Sequence, residues 1–314
     1  MLDFSEEHKL AQKAIRAWCT QHLQPRVVEL ESGAVLPYGL MRELGATFGI
    51  PDMVRASFAR ARERQGAGEQ DKALRATGEG PLMAILMMEL SRVCPGFAMA
   101  FGASLGLCGG AIVARGTPEQ RERFALPVLT MEKIGAWALT EPGAGSDAFG
   151  SMKTHARRAD GGWRLSGSKT FITNAPHADT FVVYARVLGD DAAAGPAGNV
   201  RAFIVERAAK GLATGSPMKK MGMHTSPTGE VFLDDVFVPG DQLVGGDEAH
   251  ASRSAAAGAA DARDAARASL KGERFGMTPM CLGIVDRCLD ESVRYAKERV
   301  QWGQPIASFQ LVQE

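Results

Sequence analysis

The hydrophobic pattern of this chain changes period twice, from helix to strand and back to helix, and strands and helices never alternate one by one. That order excludes a doubly wound parallel sheet, and with it the usual nicotinamide-binding architecture. Residues 5–125 carry the helical period, with Leu10, Ala14, Ile15 and Trp18 at i, i+3 and i+4 spacing. A Met- and Leu-rich run from Leu82 to Leu90 is predicted to stop before Pro95, because proline cannot continue a helix. Phe97 to Val113, full of Gly and Ala, reads as a buried and closely packed helix. Thr117 followed by Pro118 predicts a capped helix start.

From about residue 135 the period drops to two. The segments 162–165, 171–172, 180–184, 201–205 and 230–233 read as strands, with turn signals at Asp160-Gly161-Gly162 and Gly195-Pro196-Ala197-Gly198 between them. Their spacing predicts an antiparallel β-barrel or sandwich. One helix is then predicted from about Gly272 to Gln301, stopped by Gly303 and Pro305, after an alanine-rich stretch that reads as a linker or solvated helix. The expected fold class is α+β. Its divisions are an all-α domain over 1–130, a β domain over 131–243, the alanine-rich segment over 244–271 and a closing helical segment over 272–314.

The charge balance narrows the function. Lys and Arg together number 36, as do Asp and Glu, so the net charge is zero. Such a chain has no long-range pull on a polyanion, which argues against a nucleic-acid-binding role. No uninterrupted apolar run approaches the roughly 18 residues of a transmembrane helix, so no membrane span is expected. The N-terminal stretch is charged and lacks a signal-peptide core. Five cysteines with no CxxC pair read as reduced thiols, with neither a disulfide framework nor a zinc site. A cytoplasmic protein is expected.

Two segments could carry chemistry. Trp137 to Asp147 is dense in small and polar residues, and its glycines let backbone N–H groups approach an anion. It is neither a Walker loop nor a nucleophile elbow, and a plain interdomain turn would look similar. Ser168 to Asn174 places Phe171 and Thr173 on one strand face, where an aromatic ring and a hydroxyl could hold a planar ligand. Sheet core with a satisfied threonine is the plainer reading of the same pattern.

Taken together, these two segments resemble the acyl-CoA dehydrogenase family of flavoproteins. Gly222 to Thr228 and Arg299 to Pro305 are similar to the family's later signatures, in the same order. The resemblance implies a helical domain, a β domain and a C-terminal four-helix bundle, of which this chain carries the first helix. It implies FAD as cofactor, an acyl-CoA substrate, an electron-transfer flavoprotein or similar acceptor, and a homo-oligomer. Residue by residue, it places Leu139 and Thr140 at the flavin pyrimidine edge, Phe171 over the ring and Thr173 near the reactive nitrogen. Gly145 and Ser146 would face cofactor phosphates or acyl-CoA, while Arg299, Gln301, Trp302 and Gln310 match positions that hold the ADP half of FAD. His224 stands where most members carry arginine, and no role is assigned to it.

Most members carry their catalytic glutamate on a later bundle helix that has no counterpart in these 314 residues. Isovaleryl- and long-chain-type members instead take the base from the first bundle helix, just before an arginine; here that residue is Glu273, followed by the substrate-side Arg274. Arg274 and Arg299 are 25 positions apart, about seven helical turns, which would put them on one face of one helix. A glutamate favoured by the helix dipole in the first turn would look the same. Met277, Met280, Cys281, Ile284, Val285, Cys288, Leu289 and Val293 form an apolar surface that one interface does not use up. Three readings stand at this stage: an active dehydrogenase, a subunit completed by a partner chain that supplies the missing bundle helices and base, and a non-catalytic flavin- or acyl-CoA-binding protein.

Overall fold

The computed structural model describes residues 4–66, 80–189, 200–246 and 260–314, with residues 65–66 and 260–275 described by their backbone alone. The helices begin with α1 (Glu6–Trp18), whose cap Ser5 accepts a hydrogen bond from the His8 amide at 3.3 Å. There follow α2 (Val27–Ser32), α3 (Tyr38–Thr47), α4 (Ile50–Gly66) and α5 (Gly80–Val93). The predicted break falls where expected: α5 ends at Val93 and α6 begins at Pro95. Helix α6 (Pro95–Arg115) contains a π turn at Ala103–Gly109. By length and composition α6 is apolar enough to cross a membrane, which a search for uninterrupted apolar runs passes over. It is instead mostly buried, with Phe97, Phe101, Leu105, Cys108 and Ile112 inside the core. Helix α7 (118–129) starts with the predicted cap, here a full capping box between Thr117 and Gln120.

The middle strands are β1 (Gly135–Ala138), β2 (His155–Ala159), β3 (Gly162–Thr173), β4 (Thr180–Leu188), β5 (Val200–Glu206), β6 (Leu212–Thr214) and β7 (Thr228–Pro239). They form one seven-stranded sheet in which pairing is mixed, where the spacing had suggested antiparallel throughout. One edge of β4 takes β1 and then β2, both parallel, and the other edge takes β5 antiparallel. The reason lies in the connections. Asp160-Gly161-Gly162 makes a tight β2–β3 hairpin, whereas the long segment 139–154 lets the chain rejoin the β4 edge in the direction it left. Segments read separately at 162–165 and 171–172 are one strand, β3, paired along β7 with register shifts at Leu165/Gly167 and Lys169/Ile172. The Gly195–Gly198 turn signal lies outside the described residues, as does the alanine-rich stretch over 247–259.

Helix α8 (Ala260–Glu298) begins before Gly272 and ends before Gln301. It stops because the chain reverses in a hairpin of β8 (Val300–Gln301) and β9 (Gln304–Pro305), with Trp302 and Gly303 at φ 53° and 78° forming its turn. Arg299 therefore lies just past the helix, and Pro279 interrupts the hydrogen-bond ladder within it. The single-face relation between Arg274 and Arg299 is thus corrected. Helix α8 packs on α5 at close range: a Cβ on Gly283 would stand 2.0 Å from the Met88 carbonyl oxygen. Met280 is buried, while Met277, Ile284, Val285, Leu289 and Val293 stay exposed among the described residues.

Candidate functional site

The site is built where β3 leaves its ladder. The register shift after Lys169 turns Phe171 into the left-handed region (φ 58°) and pushes its ring outward, 68% exposed. The Thr170 amide donates to the Thr140 carbonyl at 2.9 Å, which ties the segment leaving β1 to the bulge. Leu139 and Thr140, just past the end of β1, are thereby brought beside the bulge of β3 that carries Phe171 and leads to Thr173. Leu139 is buried, and Thr140 and Thr173 are half-buried. Trp137, on β1, meets Tyr184 edge-on at 5.3 Å and donates to its hydroxyl at 3.3 Å.

Beneath this surface lies an ion pair that the linear pattern did not reveal. Lys169 has a fully buried side chain, and its Nζ donates to the Leu139 carbonyl at 3.0 Å and to Glu141 Oε1 at 2.9 Å. Glu141 also accepts from the Lys153 amide at 2.7 Å and the Thr154 amide at 2.9 Å. Burial pushes the Lys169 ammonium down to about 8, against the opposing pull of Glu141. Burial alone would raise the Glu141 carboxyl, but the Lys169 charge and the hydrogen bonds from Thr154 and Lys153 hold it below its ordinary value. The loop then turns through reciprocal Glu141–Ala144 backbone bonds at 3.1 Å. At Gly143 and Gly145 no atom lies within 4 Å of where a Cβ would stand, and Gly145 and Ser146 are exposed.

Asn174 ends β3 in the left-handed region (φ 67°) and fixes the exit from Thr173. Its Nδ2 donates to Ala100 O at 2.9 Å and Gly135 O at 3.3 Å, and its Oδ1 accepts from the Tyr38 hydroxyl at 3.2 Å. Its amide donates to Pro227 O at 2.6 Å. Pro227 belongs to a loop pinned to α2 through Glu31, which accepts from the His224 amide at 2.9 Å and from the Thr225 amide and hydroxyl at 3.1 and 2.5 Å. Both ring nitrogens of His224 lie against carbonyl oxygens, those of Glu31 and Lys220. His224 thus anchors a loop that borders the bulge.

The remaining sequence candidates are not gathered here. Arg299, Gln301 and Trp302 belong to the β8–β9 hairpin and Gln310 opens the short helix Gln310–Gln313, all packed about the end of α8. Trp302 is 93% exposed. Glu273 and Arg274 lie on α8 by backbone, and their side chains fall outside the description.

An outward aromatic ring, two hydroxyls, strand-end backbone and an adjoining open glycine loop suit a flat ring with polar edges and an anionic tail. The β-domain residues fit the isoalloxazine and pyrophosphate portions of FAD. The acyl-CoA dehydrogenase N-terminal, middle and C-terminal domain families match residues 77–132, 136–236 and 262–314. The 3-(aryl)acrylate reductase of Clostridium sporogenes is 33% identical over 312 residues, covering 99% of this chain and 74% of that protein. The caffeyl-CoA reductase-Etf complex subunit CarC of Acetobacterium woodii is 32% identical, covering 98% and 73%. The structure of acyl-CoA dehydrogenase complexed with FAD from Bacillus anthracis superposes with a TM-score of 0.79 at 32% identity, covering 99% of this chain and 48% of that one. The aligned portion amounts to 74% of the first relative's length and only 54% of another's. With its three domain matches and these similarities over nearly its whole length, the chain belongs to the acyl-CoA dehydrogenase family of FAD-dependent oxidoreductases.

Proposed function

We propose that this protein exchanges hydrogen across the α,β bond of an acyl-CoA thioester, with an electron-transfer flavoprotein or similar carrier as redox partner. The observation that carries the reading is the bulge that sets Phe171 and Thr173 beside Leu139 and Thr140. Leu139 and Thr140 would present backbone and hydroxyl groups to the edge of the flavin, Phe171 would cover one ring face, and the Thr173 hydroxyl would serve as a donor to the ring. Gly145 and Ser146 face phosphate groups of cofactor or thioester. Arg299, Gln301, Trp302 and Gln310 would hold the adenosine half, in a homo-oligomer on behalf of a neighbouring subunit. Bound there, FAD supplies the two-electron chemistry that side chains lack. Glu273 takes the proton from the carbon beside the thioester carbonyl, and Arg274 binds substrate on the same helix. Donors aimed at the carbonyl oxygen stabilise the charge that develops as that proton leaves. Relatives named as reductases fit the same arrangement run in reverse. The free cysteines, Cys19, Cys94, Cys108, Cys281 and Cys288, suit a cytosolic setting.

A second reading is favoured by the exposed row Val285, Leu289 and Val293 on α8. In it, the chain is a flavin-binding subunit that becomes active when a partner chain covers that row and brings the base. An anaerobic visible spectrum of the FAD-supplemented protein, before and after mixed saturated acyl-CoAs, separates the two. Bleaching of a bound flavin band that Glu273→Gln abolishes is the expected result. A bound band that never bleaches favours the subunit reading.

A further inference from the structure

We propose that Lys169 is a positioning residue for the flavin, gripping the Thr140 segment from below and favouring the reduced ring over the oxidised one through its buried charge. This rests on the flavin-site reading given above. The geometry is specific to Thr140. Lys169 Nζ holds the Leu139 carbonyl on one side of it and the Glu141 carboxylate on the other, at 3.0 and 2.9 Å. The carbonyl of Thr140 itself is held at 2.9 Å by the amide of Thr170, the residue after Lys169. Lys169 and Thr170, consecutive on β3, therefore hold Leu139, Thr140 and Glu141, the first two of them at the proposed cofactor edge, and Phe171 follows on the same strand.

The charges are not symmetrically placed. Glu141 is spread over the amides of Lys153 and Thr154, which belong to the segment entering β2. Lys169 Nζ lies 2.9 Å from Glu141 and 3.0 Å from the Leu139 carbonyl, so the cationic member of the pair is the one in contact with the segment that carries Leu139 and Thr140. Both side chains are shielded from solvent, at 0% and 4% exposure, so salt screens their field little. Stability alone gives small reason for such a pair, since replacing buried ions by uncharged groups is often neutral. A positive charge in contact with the Leu139 carbonyl would favour the reduced state of a ring whose edge meets Leu139 and Thr140.

The test is a redox titration of flavin-loaded Lys169→Met and of the uncharged double variant Lys169→Met/Glu141→Gln, alongside flavin affinity and unfolding midpoints. In the double variant the ratio of affinities for reduced and oxidised flavin should fall about tenfold, a potential lower by ~30 mV for a two-electron couple, and in the single variant, which leaves Glu141 unpaired, it should fall at least as far. The double variant should recover unfolding stability without recovering the potential. Should its potential return to the parent value together with its stability, the pair is only a staple of the fold and the proposal is overturned. If the single variant does not fold, the double variant decides alone by the same criterion. A parent that binds no flavin, or whose flavin affinity ignores Phe171→Ala, overturns the site reading and this proposal with it. An intact Phe171 dependence with unchanged potentials overturns the role of Lys169 alone.

Discussion

Phe171 holds two properties that a packed core would not tolerate together, a left-handed backbone and a mostly exposed ring. A non-glycine residue there costs about 1–2 kcal/mol, and an exposed ring returns little of that by burial. Phe171→Gly relieves the backbone and adds the chain entropy of glycine, about 0.5–1 kcal/mol. Its denaturation midpoint should correspond to a stability within about 1 kcal/mol of the parent, while flavin affinity drops about tenfold or more as the stacking surface is lost. Glu31 gives a residue-level pH prediction. Burial pushes its carboxyl up, but hydrogen bonds from Thr225 and His224 outweigh it and hold the carboxyl below the ordinary range. The folded state therefore binds fewer protons than the unfolded chain as pH falls through the carboxylate range. Its stabilising contribution is complete above the unfolded value and is lost as pH drops through the depressed one. Thermal midpoints measured from pH 7 to pH 3 should fall less steeply in Glu31→Gln than in the parent.

Among the elements, α8 offers two glycines with opposite expectations. Gly283 lies against the Met88 carbonyl oxygen at a distance no Cβ can share, whereas nothing stands within 4 Å of a Cβ on Gly276. Gly283→Ala should force α8 away from α5 and cost about 1–3 kcal/mol in urea unfolding. Gly276→Ala should gain up to about 1 kcal/mol through helix propensity. What the linear sequence made legible was local. Pro95 and Thr117 punctuate helices through their own backbone chemistry, and the strand segments show their period without help from neighbours. Leu139, Thr140, Phe171 and Thr173 could be named as candidates because they lie in two short contiguous motifs. The end of α8 was misplaced by about three residues because Gly303 marks the middle of a hairpin turn, which needs extended residues before it. Lys169 and Glu141, 28 positions apart, and Glu31 and His224, 193 apart, were invisible as pairs. No periodicity connects residues that meet only once the sheet has closed.

At the scale of the molecule, the helical part and α8 are joined through charge at α5. Glu89 is fully buried and accepts from Arg16 twice at 2.8 Å and from Gln12 at 2.7 Å, so α1 is tied to α5. Arg16 reaches on toward Asp286 at 3.5 Å, and Arg92 pairs with Asp286 and Asp290, so the same cluster reaches α8. These links are unequal. Arg92 is 11% exposed, but its partners Asp286 and Asp290 are 41% and 59% exposed, and pairs whose carboxylates face solvent contribute about 0–1 kcal/mol. Glu89 has no access to water, and removing Arg16 leaves its charge, among the described residues, with Gln12 alone. Arg16→Ala should cost about 3 kcal/mol, the low end for breaking a buried pair, because Arg16 itself is 44% exposed. Arg92→Ala should cost about 1 kcal/mol or less. Salt separates the two: 1 M NaCl should erase most of the Arg92 effect and leave most of the Arg16 effect. Native-state hydrogen exchange supplies the mechanical reading. If Glu89 couples the three helices, Arg16→Ala lowers amide protection in α1, α5 and the Met280–Glu298 part of α8 by a common factor. Loss confined to α1 would show that α8 is held by its close contact at Gly283 and gains nothing from the charges.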